Sequence, residues 1–321
     1  MTRVAVLKGG RSLERGVSLR SGAQVQDALQ RLGHELVAID VGAGFATELL
    51  EAEPDVAFVA LHGRDGEDGT VQELLDAVGI PYTGSPPAGC VRCTDKALAK
   101  HLMRDAGIPT APFRALRETA IRDLGAGAAL ARVEEEIGFP LVVKPARGGS
   151  ALGVKFASDS AGLPGAMVGA FSYDGTVLLE RHISGRDLAV SVLEGERPEA
   201  LPVVEAVPRE EGFYDYESRY EIGRTTFVCP AELEEATTAR AQELAVAVFE
   251  LLGCRGFARV DLMLDDDGEL WVLETNVVPG LTETSLLPQA ADAAGIGFDE
   301  LIERILARAG VSGPAHVAPG A

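Results

Sequence analysis

The chain has few of the features by which a sequence most readily declares itself. Among its 321 residues no apolar run approaches the roughly 18 needed to span a bilayer. The opening MTRVAVLKGGRS has too short an apolar stretch, and turns polar too soon, to be read as a secretory signal. A cytoplasmic location and no membrane partner are therefore expected. Positive charge is scarce: 29 Lys and Arg stand against 49 Asp and Glu, a formal net charge of -20. Such a balance argues against binding nucleic acid or anionic lipid, and an anionic ligand would need local basic groups. Four cysteines, Cys90, Cys93, Cys229 and Cys254, are too few for a disulfide framework. Cys90 and Cys93 form a Cys-x-x-Cys in GCVRCTDK, yet no second Cys/His pair stands at zinc-finger spacing and the thioredoxin-like context is missing. They read as small, partly buried residues near a helix start. Two nucleotide signatures are also absent. No Gly-x-x-x-x-Gly-Lys-Ser/Thr occurs, and GRSLERG after the first strand is not Gly-x-Gly-x-x-Gly, which weakens a nicotinamide dehydrogenase reading.

What is present is ordinary globular material, 46% hydrophobic and 24% charged, at a length that suggests two or three domains. The first portion alternates strand and helix. RVAVLKGG reads as a buried strand, and residues 15–32 as a helix with Val25, Leu29 and Leu32 on one stripe and Gly33 as its stop. Strands follow at 35–39 and in DVAFVALHG, with helices near 46–52 and 70–78. This predicts a parallel sheet flanked by helices, with GGRSLERG and HGRDGEDG beyond the strands' carboxyl ends, where ligands gather. GSPPAG, 84–89, reads as a turn-rich junction. Beyond it come a helix over 94–106, a strand near 112–116, a helix over 125–137, the strand FPLVVKPA, the glycine-rich RGGSALGV and the strand-turn TVLLERHISG. Strands from 186 to 207, the aromatic EGFYDYESRY, a helix over 231–252, a hairpin and helices near 285–294 and 298–309 complete the pattern. The expected partition is an N-terminal domain over 1–88, a central portion over 89–184, a C-terminal portion over 185–312 and a disordered tail over 313–321.

Three stretches carry chemistry. In ARVDLMLDDDGELWVLETNVVPG, a four-residue loop would pair Leu264 with Glu269, Asp261 with Val272 and Arg259 with Glu274. Arg259, Asp261, Glu274 and Asn276 then share one face, while Trp271 and Leu273 point the other way. Two carboxylates and an amide oxygen are hard ligands suited to Mg²⁺ or Mn²⁺; a solvated face with a cross-strand Arg/Glu pair is the plainer alternative. In LVVKPARGGSALGV, Lys144 lies in an apolar strand followed by Gly148, Gly149 and Gly153, glycines that let backbone N–H groups approach an anion. Lysine occurs only five times, so one at a buried strand position is hard to dismiss as decoration. Glu180 ends another apolar strand in VLLERHISG, where backbone and acidic groups could meet an adenine amino group. Together these outline a nucleotide cleft between two sub-domains.

The order TDK, LVVKPARGGSALGV, LLERHISGRD, FYDYESRY, GFARVDLM and LETNVVPG resembles the ATP-grasp ligases. With GGRSLERGVSLRSG and LHGRDGEDGTVQ added, the resemblance is to the D-alanine:D-alanine ligase family, over about residues 3–310. It implies an α/β ATP-grasp fold, with an N-terminal Rossmann-like parallel domain and two α+β sub-domains. It also implies a homodimer that uses ATP and two Mg²⁺ or Mn²⁺ ions to join D-alanines for peptidoglycan precursors. Residue by residue, the resemblance implies metal ligation by Asp261, Glu274 and Asn276, and phosphate contact by Lys96, Lys144, Gly149 and Arg219, the last where a lysine is usual. It implies an adenine frame of Glu180, Arg181 and Ile183, with Asp187 at the ribose. Glu14 is implied at the first D-alanine's ammonium, hydrogen-bonded as a set with Ser150 and Tyr220, and His62 and Glu67 in the same pocket. Arg259 and the Gly280 N–H are implied as oxyanion donors, with Ser285 and Arg259 at the second carboxylate. Gly16, where an acid is usual, Val277, where a hydroxyl is usual, and Glu73, where a small residue is common, depart from the pattern. They bear on the second substrate, for which D-serine, D-lactate or another amino acid is the alternative. A non-catalytic nucleotide-binding regulator is the rival from another class, and the intact metal ligands and Arg259 argue against it.

Overall fold

The structure is a computed structural model and describes residues 1–125, 127–208 and 225–311. Three sheets organise it. The first joins β1 (Arg3–Lys8), β2 (Glu35–Asp40) and β3 (Val56–Val59) in the order β2-β1-β3, all parallel, as the strand-helix alternation predicts. Val4 to Leu7 are wholly buried because a parallel sheet covered on both faces has no solvent side. The second joins β4 (Phe113–Arg117), β5 (Leu141–Pro145), β6 (Lys155–Ala157) and β7 (Thr176–Arg181) in the antiparallel order β4-β7-β5-β6. The third contains β8 (Gly185–Glu194), β9 (Pro198–Ala200), β10 (Val204–Pro208), β11 (Thr225–Val228), β12 (Phe257–Asp265) and β13 (Leu270–Asn276). Its order is β11-β10-β8-β12-β13, with β9 also paired to β8.

Several elements differ from the sequence reading. The GSPPAG junction is irregular only in its first half, 84–86: residues Pro87–Thr94 are helical, entered with proline in the first turn, where its missing N–H is harmless. A second helix, Lys96–Asp105, starts afresh at Asp95, whose carboxylate accepts the Leu98 N–H at 3.0 Å. The helices Glu118–Leu124 and Leu163–Phe171 and strand β6 were not anticipated, and the long helix begins at Glu235 rather than 231. Glycine at 185 is obligatory, since its φ is +151° and a Cβ would lie 2.0 Å from the Leu264 carbonyl oxygen. Cys90 and Cys93 fall on the buried side of Pro87–Thr94, with Cys93 Sγ 3.5 Å from Cys254 Sγ. The Cys254 contact and burial raise the Cys93 thiol, and burial raises that of Cys90, leaving both protonated near neutral pH.

The hairpin register also needs correction. The turn between Leu264 and Leu270 has five residues, and a bulge falls between the pairs Asp261–Glu274 and Leu262–Val272, leaving Leu273 unopposed. Asp261 therefore faces Glu274, and Arg259 faces Asn276. Each irregularity displaces the register by one residue, so together they preserve the parity that puts all four polar residues on one face. Trp271 does not point the other way: it pairs with Met263, on the face of Asp261, and its indole N–H donates to Asp265 at 2.7 Å. Leu273, freed by the bulge, lines the same cleft as Asp261 and Glu274.

Candidate active site

Three cavities meet at Glu274, with volumes of about 560, 50 and 660 Å³. The first lies between the central sheet and β8, β12 and β13. Lys96, Lys144, Gly149, Glu180, Arg181, Ile183, Asp187, Asp261 and Glu274 all border it, so the residues read as nucleotide ligands do converge. Lys96 sits at the start of its helix, donates through Nζ to the Gly148 carbonyl and stands 3.6 Å from Glu274 Oε2. Lys144 Nζ lies 3.0 Å from Glu180 Oε2, because Val142, opposite Glu180, and Lys144 share one face of β5. Two ammonium groups thus border a cleft in an otherwise strongly acidic protein, as an anionic ligand requires.

A third lysine went unnoticed in the sequence. Lys100 is wholly buried, with Nζ 3.3 Å from Glu180 Oε1 and 3.4 Å from the Val272 carbonyl oxygen, and it also donates to Thr110 Oγ1. Burial pushes its ammonium down to about 8, against the pull of Glu180. A signal did exist: Lys100 lies one helical turn after Lys96 and one before Met103, on the stripe that the helix buries.

The carboxylate face fits a hard divalent ion. Its donors are all oxygens, and the strand pairing holds Asp261 and Glu274 directly opposite each other. The Arg259 guanidinium grips Asp261 at 2.6 and 2.8 Å, and Asn276 Oδ1 accepts the Val278 N–H at 2.9 Å. Among the described residues no group of three or more His, Cys, Asp or Glu could hold a metal. Two carboxylates and an amide oxygen suit an ion that would take further ligands from outside the protein, not a cage built by protein alone.

The smallest cavity gathers Glu14, His62, Glu67, Ser150, Arg259, Gly280 and Ser285. Glu14 precedes the helix Arg15–Arg31, is 6% exposed and accepts the Ser150 hydroxyl on Oε1. Ser150 and Ala151 take left-handed φ of 54° and 56°, uncommon for residues with a Cβ, and this turn brings the hydroxyl under Glu14. At Gly149 a Cβ would stand 3.2 Å from Glu14 Oε1, so glycine keeps the loop close to the acid. Burial first, and the charge of Glu67 second, push the Glu14 carboxyl up to about 7.

His62 is held at both nitrogens: Nδ1 is 2.9 Å from the Val278 carbonyl oxygen and Nε2 is 2.9 Å from Ser21 Oγ. A carbonyl can only accept, so Nδ1 is the donor in the first of these bonds. Ser21 in turn accepts the Leu281 N–H at 3.2 Å, a tie between the first helix and the Gly280 loop that the sequence did not reveal. Ser285 Oγ accepts the Thr282 N–H at 3.0 Å, and a Cβ at Gly280 would come within 2.5 Å of it. Tyr220 and Arg219, with the FYDYESRY motif and the 313–321 tail, lie outside the described residues. Gly16 is on the exposed side of its helix and Val277 is 1% exposed in the core, so neither departure projects a side chain into the small cavity.

Comparison with known proteins gives a consistent result. Residues 102–307 match the family model for the D-ala D-ala ligase C-terminus, and residues 42–85 that for its N-terminus. A D-alanine–D-alanine ligase of Syntrophotalea carbinolica is 45% identical over 307 residues, covering 96% of each chain. The structure of a D-alanine–D-alanine ligase from Bacillus anthracis complexed with ATP superimposes at a TM-score of 0.80, with 33% identity and 96% coverage of both chains. The VanG D-Ala:D-Ser ligase of Enterococcus faecalis superimposes at 0.81 with 27% identity, over 95% of this chain and 98% of the other.

Proposed function

The chain belongs to the D-alanine–D-alanine ligase family, and from that premise we propose that it joins two D-alanines into a dipeptide for cell-wall precursors, at the expense of ATP. A carboxylate is a poor acyl donor because its oxygen leaves badly. The first D-alanine's carboxylate oxygen therefore attacks the γ-phosphorus, ADP departs, and a D-alanyl phosphate forms. The amine of the second D-alanine adds to that carbonyl, and the tetrahedral intermediate collapses by releasing phosphate and a proton. Phosphoryl transfer of this kind depends chiefly on positioning and charge neutralisation.

The observation that carries this reading is the convergence on Glu274 of a lysine-bordered cleft and a small cavity holding a buried acid and a guanidinium. Lys96, Lys144 and the Gly149 N–H would hold the ATP phosphates, together with Arg219. Glu180, Arg181 and Ile183 would frame the adenine, and Asp187 would reach the ribose. Asp261, Glu274 and Asn276 would hold two Mg²⁺ or Mn²⁺ ions, which supply neutralisation of the phosphate charge. Glu14 receives the first ammonium and is oriented by Ser150, with Tyr220 completing the set, while His62 and Glu67 wall the pocket. Arg259 and the Gly280 N–H stabilise the oxyanion, and Arg259 with Ser285 orients the second carboxylate. Cytoplasmic location and a homodimer complete the proposal; among the described residues, no helix is long and apolar enough to cross a membrane.

The test is Mg²⁺-dependent phosphate release from ATP, with D-alanine, D-serine and D-lactate offered singly and in pairs and products weighed by mass spectrometry. D-alanine alone should sustain release and yield D-alanyl-D-alanine. Release only with a mixed pair would transfer the chain to another ligase specificity, and none with any pair would defeat the ligase reading.

A further inference from the structure

Glu180 borders the cleft of about 560 Å³, yet the residue is 2% exposed and its carboxylate is held between two ammonium groups, Lys144 at 3.0 Å and Lys100 at 3.3 Å. The two lysines are not equivalent. Lys144 borders the cleft, whereas Lys100 is 0% exposed and cannot touch anything bound there. If Lys144 were the only partner of Glu180, the pair would be neutral and a phosphate would compete with the carboxylate for the same ammonium. With a protonated Lys100 taking the other carboxylate oxygen, the trio carries a net positive charge, and Lys144 is its one ammonium that borders the cleft.

The remaining bonds of Lys100 reach the other side of the cleft. Its Nζ donates to Thr110 Oγ1 and approaches the Val272 carbonyl oxygen, which also accepts the Thr110 hydroxyl at 2.8 Å. The Val272 N–H donates to the Pro109 carbonyl at 2.9 Å. Val272 lies two residues before Glu274 and four before Asn276 on β13. One buried ammonium thus joins the central sheet, which carries Lys144 and Glu180, to the strand that carries two of the proposed metal ligands. We propose that Lys100 is a positioning residue for the nucleotide: it holds Glu180 from behind, leaves Lys144 available to the phosphates and locks β13 to the central sheet. This rests on the nucleotide reading of the lysine-bordered cleft.

The experiment compares wild type, Lys100→Met, Glu180→Gln and the double variant in MgATP binding by calorimetry, in steady-state kinetics with ATP and D-alanine varied separately, and in thermal melting. Methionine keeps the length and burial of the side chain while removing its charge. Lys100→Met should raise the KM for ATP about tenfold or more while leaving that for D-alanine within about twofold, a split that general loosening would not produce. In the Glu180→Gln background the same change should add less than about twofold, as expected when one residue acts through another. Unaltered MgATP binding in a folded Lys100→Met protein overturns the proposal, as do equal losses for both substrates or additive effects in the double variant. Should Lys100→Met fail to fold, Thr110→Val, which removes a hydroxyl partner and keeps the lysine, must show the same split. Wild type that binds no MgATP would instead defeat the nucleotide reading itself.

Discussion

Lowering the pH from about 8 to about 5.5 should weaken D-alanine binding, with an inflection near the value of about 7 to which Glu14 is raised. The direction follows from charge, since an ammonium is attracted to ionised Glu14 and gains little from its protonated form. A carboxyl raised from 4.5 to about 7 also makes folding depend on pH. The folded state keeps the proton more tightly than the unfolded chain, so this stabilising contribution is complete below 4.5 and is lost as pH rises through about 7. Above that value, ionising Glu14 in its buried site beside Glu67 costs on the order of 3 kcal/mol, which a bound ammonium would offset.

Glu14→Gln has no charge to bury. In urea unfolding, its advantage over wild type should grow by about 1.4 kcal/mol per pH unit between about pH 5 and 7 and level off above, while D-alanine binding is lost. Ser150→Ala removes a hydrogen bond that favours the ionised acid. Such bonds to charged groups are worth about 1.5–3 kcal/mol, so the binding inflection should move up by about one unit or more. A stability difference independent of pH, or an inflection that Ser150→Ala moves downward, would refute the assignment of Glu14 as the titrating, substrate-facing acid.

Two further substitutions separate binding from chemistry. Arg259→Ala should lower dipeptide formation about a hundredfold or more, the scale for a lost oxyanion donor, while calorimetry finds MgATP binding changed far less; comparable losses of both would undermine that role. It should also lower the melting temperature, because Asp261, 9% exposed, loses a two-point ion pair. Gly280→Ala places a methyl 2.5 Å from Ser285 Oγ and should raise the KM for the second D-alanine about tenfold. The clash should also lower the melting temperature, and adding Ser285→Ala should relieve that loss but not the KM, since the clashing oxygen and the proposed carboxylate contact disappear together.

The sequence showed which side chains share a face better than it showed how the strands are paired. Alternation alone put Arg259, Asp261, Glu274 and Asn276 together, and two one-residue displacements left that conclusion intact. The parallel sheet was legible because β1 and β3 are continuous apolar runs, and the lysine loop because a charge interrupts one. Lys100 was less legible, since a helix's buried stripe usually carries apolar side chains and the acid that accepts this one lies 80 residues away. The Ser21–His62 tie, spanning 41 residues, depends on packing that no local pattern encodes. The turn length was missed because it depends on one side chain: the Asp265 carboxylate accepts the Asp267 and Glu269 N–H groups at 3.1 and 2.8 Å, and the Trp271 indole. These bonds hold Asp265 below the ordinary aspartate range, the indole bond most. Asp265→Ala should therefore free the turn to shorten toward the four-residue form, loosening the Leu264–Leu270 and Met263–Trp271 pairs before the Asp261–Glu274 pair beyond the bulge. Amide exchange should accelerate first at Leu264 and Leu270, accompanied by a change in Trp271 fluorescence. Uniform protection along both strands would show that the ladder, and not Asp265, sets the register.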